Sequence, residues 1–349
     1  MTKYKSGDQL SQRSILIWRF VQTLVWLIGV TIFVCLLFFP KIGINLFWNI
    51  LIPIAPALIV VAVGLWRNVC PLATTALLPR HLGLSKRKIM STSLHGVLSL
   101  ILILALYAIV PLRHAVFNVS GLATALLLIG VATVGVTMGF FFEWKSAWCS
   151  SLCPVHTVEK LYGSNVLFAL PNAHCEQCMK CVTPCPDSRA NISPLSYQKT
   201  FYDNLSASLI IGGLPGFIWG WFHVPDYSGD FSLSTVLEIY EAPLACMILT
   251  LMVYSVFAIV LSDKLMRTIS GIFAASAVSC YYWYRIPALV GFGKFAEDGL
   301  LINLSDRIPF EAVSLTIVLT TLFFFWWIVI RKQHRVSWVI RPPYGKRGQ

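Results

Sequence analysis

The chain has 349 residues, 57% of them hydrophobic and 12% charged, with a mean hydropathy of +0.73. Soluble domains run nearer about 45–50% apolar and about 25% charged, so this composition excludes a string of soluble domains and predicts a polytopic membrane protein. The net charge of +12 would suit nucleic acid binding, but the placement of the charges accounts for it without a nucleic acid partner.

Residues 1–14 are polar and basic, with Lys3, Lys5 and Arg13. An apolar run from about Phe20 to Phe39 is too long for a secretory h-region and has no small-residue cleavage site after it. It predicts a first spanning helix, ended by Pro40 and Gly43, with Arg19 and Gln22 snorkelling at its start. A second span is expected from about Asn45 to Trp66, kinked at Pro53 and Pro56. Neighbouring helices can re-satisfy the carbonyls that such prolines free. Residues 67–90 read as a basic loop, followed by spans at about Ser91 to Val110 and Gly121 to Phe142. Gly130, Gly135 and Gly139 in the latter allow close helix packing.

The longest polar region is 143–203, within which residues 155–170 are partly apolar, too short to span, and expected along the membrane surface. Four more spans are expected at about 204–223, 242–261, 269–290 and 310–330, with Trp219, Trp221, Trp326 and Trp327 placed for interfacial belts. The expected fold class is thus an all-α membrane protein of about eight transmembrane helices carrying a cysteine-rich loop region. Residues 1–142 form an N-terminal membrane domain, 143–203 a cysteine-rich region and 204–349 a C-terminal membrane domain. With the N-terminus inside, five of the 27 lysines and arginines (Lys41, Arg113, Arg285, Lys294, Arg307) fall outside and the other 22 inside. By the positive-inside rule, both termini and the cysteine-rich loop face the cytoplasm of a bacterial inner membrane.

That loop carries the chemistry. Cys175, Cys178, Cys181 and Cys185 stand as C-x2-C-x2-C-x3-C-P, the spacing by which bacterial ferredoxins hold a [4Fe–4S] cube. Thiolates two residues apart wrap three corners of a cube, and loop amides can point at its sulfurs. Pro186 then turns the chain away. A disulfide set would be unusual in the cytoplasm, and zinc more often takes two separated C-x2-C pairs or Cys with His pairs.

Upstream, Cys149 and Cys153 form C-x3-C-P, and Trp66-Arg-Asn-Val-Cys70-Pro71 mirrors it, with Trp66 falling where Cys149 falls. Two helix pairs that each finish in Cys-Pro read as a degenerate repeat, against the plainer reading of two unrelated helix-stopping prolines. The fourth cysteine of each run in two-cluster ferredoxins serves the other cluster. Cys185 therefore either closes the cube of Cys175, Cys178 and Cys181 or joins Cys70, Cys149 and Cys153 around a second cube.

Over about residues 15 to 190 the chain resembles the membrane-bound polyferredoxin proteins of the NapH, NosR and FixG/CcoG types. The resemblance is carried by the C-x3-C-P at the end of a membrane helix followed by the C-x2-C-x2-C-x3-C-P run. It implies electron transfer at the cytoplasmic face of the inner membrane, serving a respiratory reductase or the maturation of a metal centre. The chain has one ferredoxin run where such proteins typically have two, and helices from Asn204 onward with no counterpart there. The leading expectation is an electron relay with a redox partner protein; maturation of a metalloenzyme and quinol oxidation, with a quinone among the extra helices, are the alternatives.

Among other residues, His95, His114 and His223 could ligate haem, His114 and His223 by meeting at outer helix ends; the plainer reading is interfacial hydrogen bonding. His156 and His174 flank the cysteine motifs and could serve as ligands or tune a potential. Cys35, Cys246 and Cys280 fall within spans and read as small apolar side chains, and Glu238 and Glu241 as solvated acids. No Walker loop, dinucleotide-binding glycine motif or H-E-x-x-H occurs.

Overall fold

The computed structural model describes residues 11–88, 90–142, 145–162, 173, 200–227, 232–295 and 298–331. Among these the architecture is helical, with one isolated bridge between Lys88 and Phe142. Helix α1 is Gln12–Phe38, capped by Ser11, whose hydroxyl accepts the Ser14 N–H. It stops at Phe39 because a residue before proline is disfavoured in the helical region. Pro40 then opens α2, Pro40–Ala62, the first helical position being the one where proline fits. A π-type turn interrupts α2 at Asn45–Leu51, and the helix runs on to Val69 past a kink at Ala62 (φ −144°, ψ 55°). The break falls six residues beyond Pro56.

Residues 67–90, expected as loop, are folded in part. Helix α3, Pro71–Ala76, turns back alongside α1, where the Trp26 indole donates to Thr75 Oγ1 at 3.2 Å and Gly29 abuts Pro71. Its alanines and threonines are small enough to let it nest between neighbours. Helices α4 (Thr92–Ile109) and α5 (Gly121–Phe141) start at Ser91 and Ser120, each accepting a backbone N–H as cap. A π-type turn at Lys145–Leu152 leads into α6, Pro154–Tyr162.

After the cysteine run, α7 (Phe201–Ser208) and α8 (Leu214–Trp221) form one helical stretch through a π-type turn at Leu209–Gly213. Then follow α9 (Leu233–Val260), α10 (Asp263–Val290) and α11 (Phe310–Phe325), the last continued by a π-type turn to Ile330. Gly291, in the left-handed region at φ 95°, ends α10. Among the described residues six helical stretches are long and apolar enough to cross a membrane: α1, α2, Ser93–Arg113, α5, α9 and Phe310–Ile330. The remaining two expected spans correspond to the α7–α8 stretch and α10, both helical but more polar.

One apolar core joins helices from before and after the cysteine run. Ile59 and Val60 of α2, Ile103 and Tyr107 of α4, and Leu161 and Tyr162 of α6 meet Ile210, Ile211 and Phe217. Tyr254 of α9, Ala274, Ala275 and Val278 of α10, and Trp327 complete it. Glycines bring α8 against α9: a Cβ on Gly216 would lie 2.0 Å from the Cys246 carbonyl oxygen, and one on Gly220 2.4 Å from that of Ala242. In membranes such small-residue contacts are where van der Waals packing substitutes for the missing hydrophobic drive.

Candidate functional site

The two Cys-Pro motifs converge. Cys70 directly precedes α3 and Cys153 directly precedes α6. Cys149 lies in the π-type turn between α5 and Cys153, whose N–H donates to the Trp148 carbonyl at 3.0 Å. All three cysteines are half-buried and pack against one small apolar cluster of Ala73, Ala76, Leu77 and Trp148, with Val131 and Met138 from α5. The cluster forms because α5 presents glycine where these elements cross. Gly139 lies against the Ala76 carbonyl, and the Trp148 ring sits 3.4 Å from where a Gly135 Cβ would be.

Cys175, Cys178, Cys181 and Cys185 lie outside the described residues, as do His174 and the side chain of His156. The approach to the run is described at one point. The Ala173 N–H donates to Asn68 Oδ1 at 3.0 Å, and the Asn68 carbonyl accepts from Gln22 Nε2 at 2.9 Å. Asn68 is 1% exposed and stands two residues before Cys70.

Soft thiolate donors in an apolar setting suit iron–sulfur chemistry, so the chemistry of Cys70, Cys149 and Cys153 fits such a group. Among the described residues no three His, Cys, Asp or Glu side chains stand close enough to hold a metal ion.

The opposite end of the bundle holds a polar network that spacing did not signal. His114, 3% exposed, pairs its Nδ1 with Asp226 Oδ1 at 2.6 Å, and its Nε2 lies 3.1 Å from the Trp221 carbonyl. The other Asp226 oxygen accepts from Asn118 Nδ2, and the Asp226 N–H donates to Asp298 Oδ2, both at 2.8 Å. Burial pushes the Asp298 carboxyl above its ordinary value, and the nearby Asp226 charge adds to this, against the Asp226 N–H and His114, which pull it down. Arg113 lies between the rings of Trp48 and Trp221, 4.3 and 4.9 Å from their centroids. Arg285 donates through Nη2 to the Trp48 carbonyl and Asn49 Oδ1. A cavity of about 40 Å³ opens among His114, Asp226, Arg285 and Asp298, room for about three waters.

This geometry bears on the histidines. Both ring nitrogens of His114 have partners, and His223 stacks on Trp219 with its Nδ1 2.7 Å from the Trp219 carbonyl. These are positions for hydrogen bonding. At the other end His95 Nδ1 lies 3.9 Å from Asp203. Glu238 is exposed and accepts the Tyr227 hydroxyl.

The chain is 31% identical over 144 residues to the ferredoxin-type protein NapH of Haemophilus influenzae, a match that takes in 38% of this chain and 50% of that protein. The chain thus spans about half the length of the curated relative it matches. No protein-family model matches the chain. No solved structure matches it.

Proposed function

We propose that this protein is a ferredoxin-type electron carrier of the bacterial inner membrane, relaying electrons at the cytoplasmic face for a respiratory redox system. The observation that carries the reading is the packing of Cys70, Cys149 and Cys153 against one apolar cluster, beside a chain that leads into the C-x2-C-x2-C-x3-C-P run. The similarity to a protein named as ferredoxin-type NapH supports it.

In this reading Cys175, Cys178 and Cys181 hold three corners of a [4Fe–4S] cube, with Cys185 as the fourth ligand or as a ligand to a second cube shared with Cys70, Cys149 and Cys153. Such cubes supply one-electron transfer at a potential set by hydrogen bonds to sulfur and by solvent exposure. The protein's part is to exclude water and fix the thiols. Trp148 and Ala76, 3% and 1% exposed, pack beside the helix-end cysteines, which are half-buried. The α7–α8 stretch and α10 serve as two further crossings, giving about eight spans with both termini inside, and the excess of inside lysines and arginines supports that orientation. The same basic inner surface offers a docking face for a redox partner protein.

Anaerobic purification with iron analysis and EPR tests the reading. Each cube holds four irons, so iron near about eight per chain, falling to about four on Cys149→Ala, is the expected result. Iron of about four, unchanged in Cys149→Ala and Cys70→Ala, would remove the helix-end cysteines from the ligand set. Iron-free protein would sink the reading altogether.

A further inference from the structure

We propose that Asn68 is a positioning residue for the ferredoxin-type run: its side chain clasps the chain at Ala173 and so holds the approach to Cys175 against the helix end that carries Cys70. The assignment rests on the iron–sulfur reading above and adds a residue outside the cysteine motifs.

The geometry is specific. Asn68 Oδ1 accepts the Ala173 N–H at 3.0 Å across a sequence gap of 105 residues. The same residue is fixed from behind, its carbonyl accepting from Gln22 Nε2 of α1 at 2.9 Å. Asn68 is therefore held by one helix while it holds another segment, and the kink at Ala62 re-aims this last part of the helix. The position is costly for a polar side chain. At 1% exposure an amide is tolerated when its hydrogen bonds are made.

What Asn68 joins is the point of the argument. Two residues of chain reach about 7 Å at most. Cys70 is two residues after Asn68, and Cys175 is two residues after Ala173. The hydrogen bond thus joins the chain two residues ahead of the run to the helix end two residues ahead of the first Cys-Pro motif. Holding ligands of both motifs in register is the kind of support whose loss loosens a site without removing a ligand.

The test uses the full chain, purified anaerobically in nanodiscs. Asn68→Leu removes the acceptor at similar size, Asn68→Asp keeps an acceptor oxygen, and Ala173→Pro removes the donor from the other side of the same bond. We expect iron release to a chelator to quicken about tenfold in Asn68→Leu and in Ala173→Pro, the factor carried by one buried hydrogen bond of ordinary strength. The EPR spectrum of the reduced protein should change in both, and Asn68→Asp should release iron at nearly the wild-type rate. The double variant should release iron no faster than either single one, because both remove one interaction. Wild-type release rates and unchanged spectra in Asn68→Leu and Ala173→Pro, from an iron-loaded parent, would overturn the assignment and leave the iron–sulfur reading standing. A parent without iron would overturn both. If Asn68→Leu does not fold, Ala173→Pro decides alone, since it leaves the buried amide in place.

Discussion

Three glycines on α5 make a graded test of how the cysteine end is packed. A Cβ on Gly130 would meet nothing within 4 Å, one on Gly135 would touch the Trp148 ring at 3.4 Å, and one on Gly139 would lie 2.1 Å from the Ala76 carbonyl oxygen. That oxygen belongs to the backbone of α3, so no side-chain rotation relieves the clash and the short helix must move. Overpacking of this kind costs about 1–3 kcal/mol, while alanine in place of a helical glycine gains up to about 1 kcal/mol. Gly139→Ala should therefore lose up to about 2 kcal/mol net and fall about 1–3 kcal/mol below Gly130→Ala, at least about a five-fold difference in the unfolding equilibrium. Gly130→Ala should be neutral or stabilising by up to about 1 kcal/mol, with Gly135→Ala between them. Denaturant unfolding of the three variants in one detergent gives the ranking. Because α3 starts at the residue after Cys70, Gly139→Ala should also lose iron more readily than Gly130→Ala. Equal stability of the Gly130 and Gly139 variants would refute the packing of α3 against α5.

Tyr282→Phe should destabilise the protein by about 1–3 kcal/mol, the cost of stranding buried backbone partners, since its hydroxyl bonds the Pro53 carbonyl and the Ala57 N–H. Tyr281→Phe is its control and should be near neutral, because the Tyr281 hydroxyl is buried without a partner among the described residues; equal losses in thermal unfolding would contradict the structure. Cys178→Ala should remove most of the iron absorbance and Cys246→Ala none, as measured on purified protein. A reporter fused after Lys199 should behave as cytoplasmic and one near Tyr227 as periplasmic; both on one side would take away the crossing between them. The raised Asp298 carboxyl gives a pH signature. Its folded pKa lies above the ordinary 3.8, so its stabilising contribution is complete below that value and is lost as pH rises through the folded pKa. Asp298→Asn should flatten this part of the stability–pH curve, and an unchanged slope would remove Asp298 as its source.

The cysteine motifs stand out in the sequence because their members follow one another at short spacing, and the run from Cys175 to Cys185 lies outside the described residues. Cys70 was readable from the repeat of Trp66-Arg-Asn-Val-Cys70-Pro71 against Cys149 to Pro154, and the structure brings those three cysteines to one cluster. Asn68 was not, because its partner Ala173 is 105 residues away and a lone asparagine before Cys-Pro has no spacing signature. Asp226 and Asp298 were missed for the same reason: each sits in a loop, and only the fold brings them to His114. His114 and His223 were singled out as residue types, but what each does depends on carbonyls of the Trp219–Trp221 turn.

The fold shows where hydropathy is a sound guide and where it is not. It finds helices whose solvent is lipid: α1 and α9 expose Phe20, Leu24, Ile248 and Val256 and meet the length and apolarity a span requires. Helix α10 fails that criterion because its solvent is protein. Met266, Ser270, Ala274, Val278, Tyr282 and Arg285 are all buried along it. Its polar groups answer a defect in α2, whose prolines and π-type turn release carbonyls that nothing in a bilayer core could satisfy. In a regular helix the Ala57 N–H would donate to the Pro53 carbonyl. Here the Tyr282 hydroxyl stands between them, accepting from Ala57 at 2.9 Å and donating to Pro53 at 2.5 Å. Arg285 does the same for the Trp48 carbonyl in the π-type turn, and the Trp327 indole for Val60, both at 3.1 Å. These donors satisfy carbonyls of an irregular helix that a bilayer core could not, and the non-helical residue lies at Ala62. The polarity that disqualifies α10 as a lipid-facing span is thus the polarity that an irregular α2 requires of its neighbour. Read together, Pro53, Pro56, Tyr282 and Arg285 place α10 beside α2 inside the bundle.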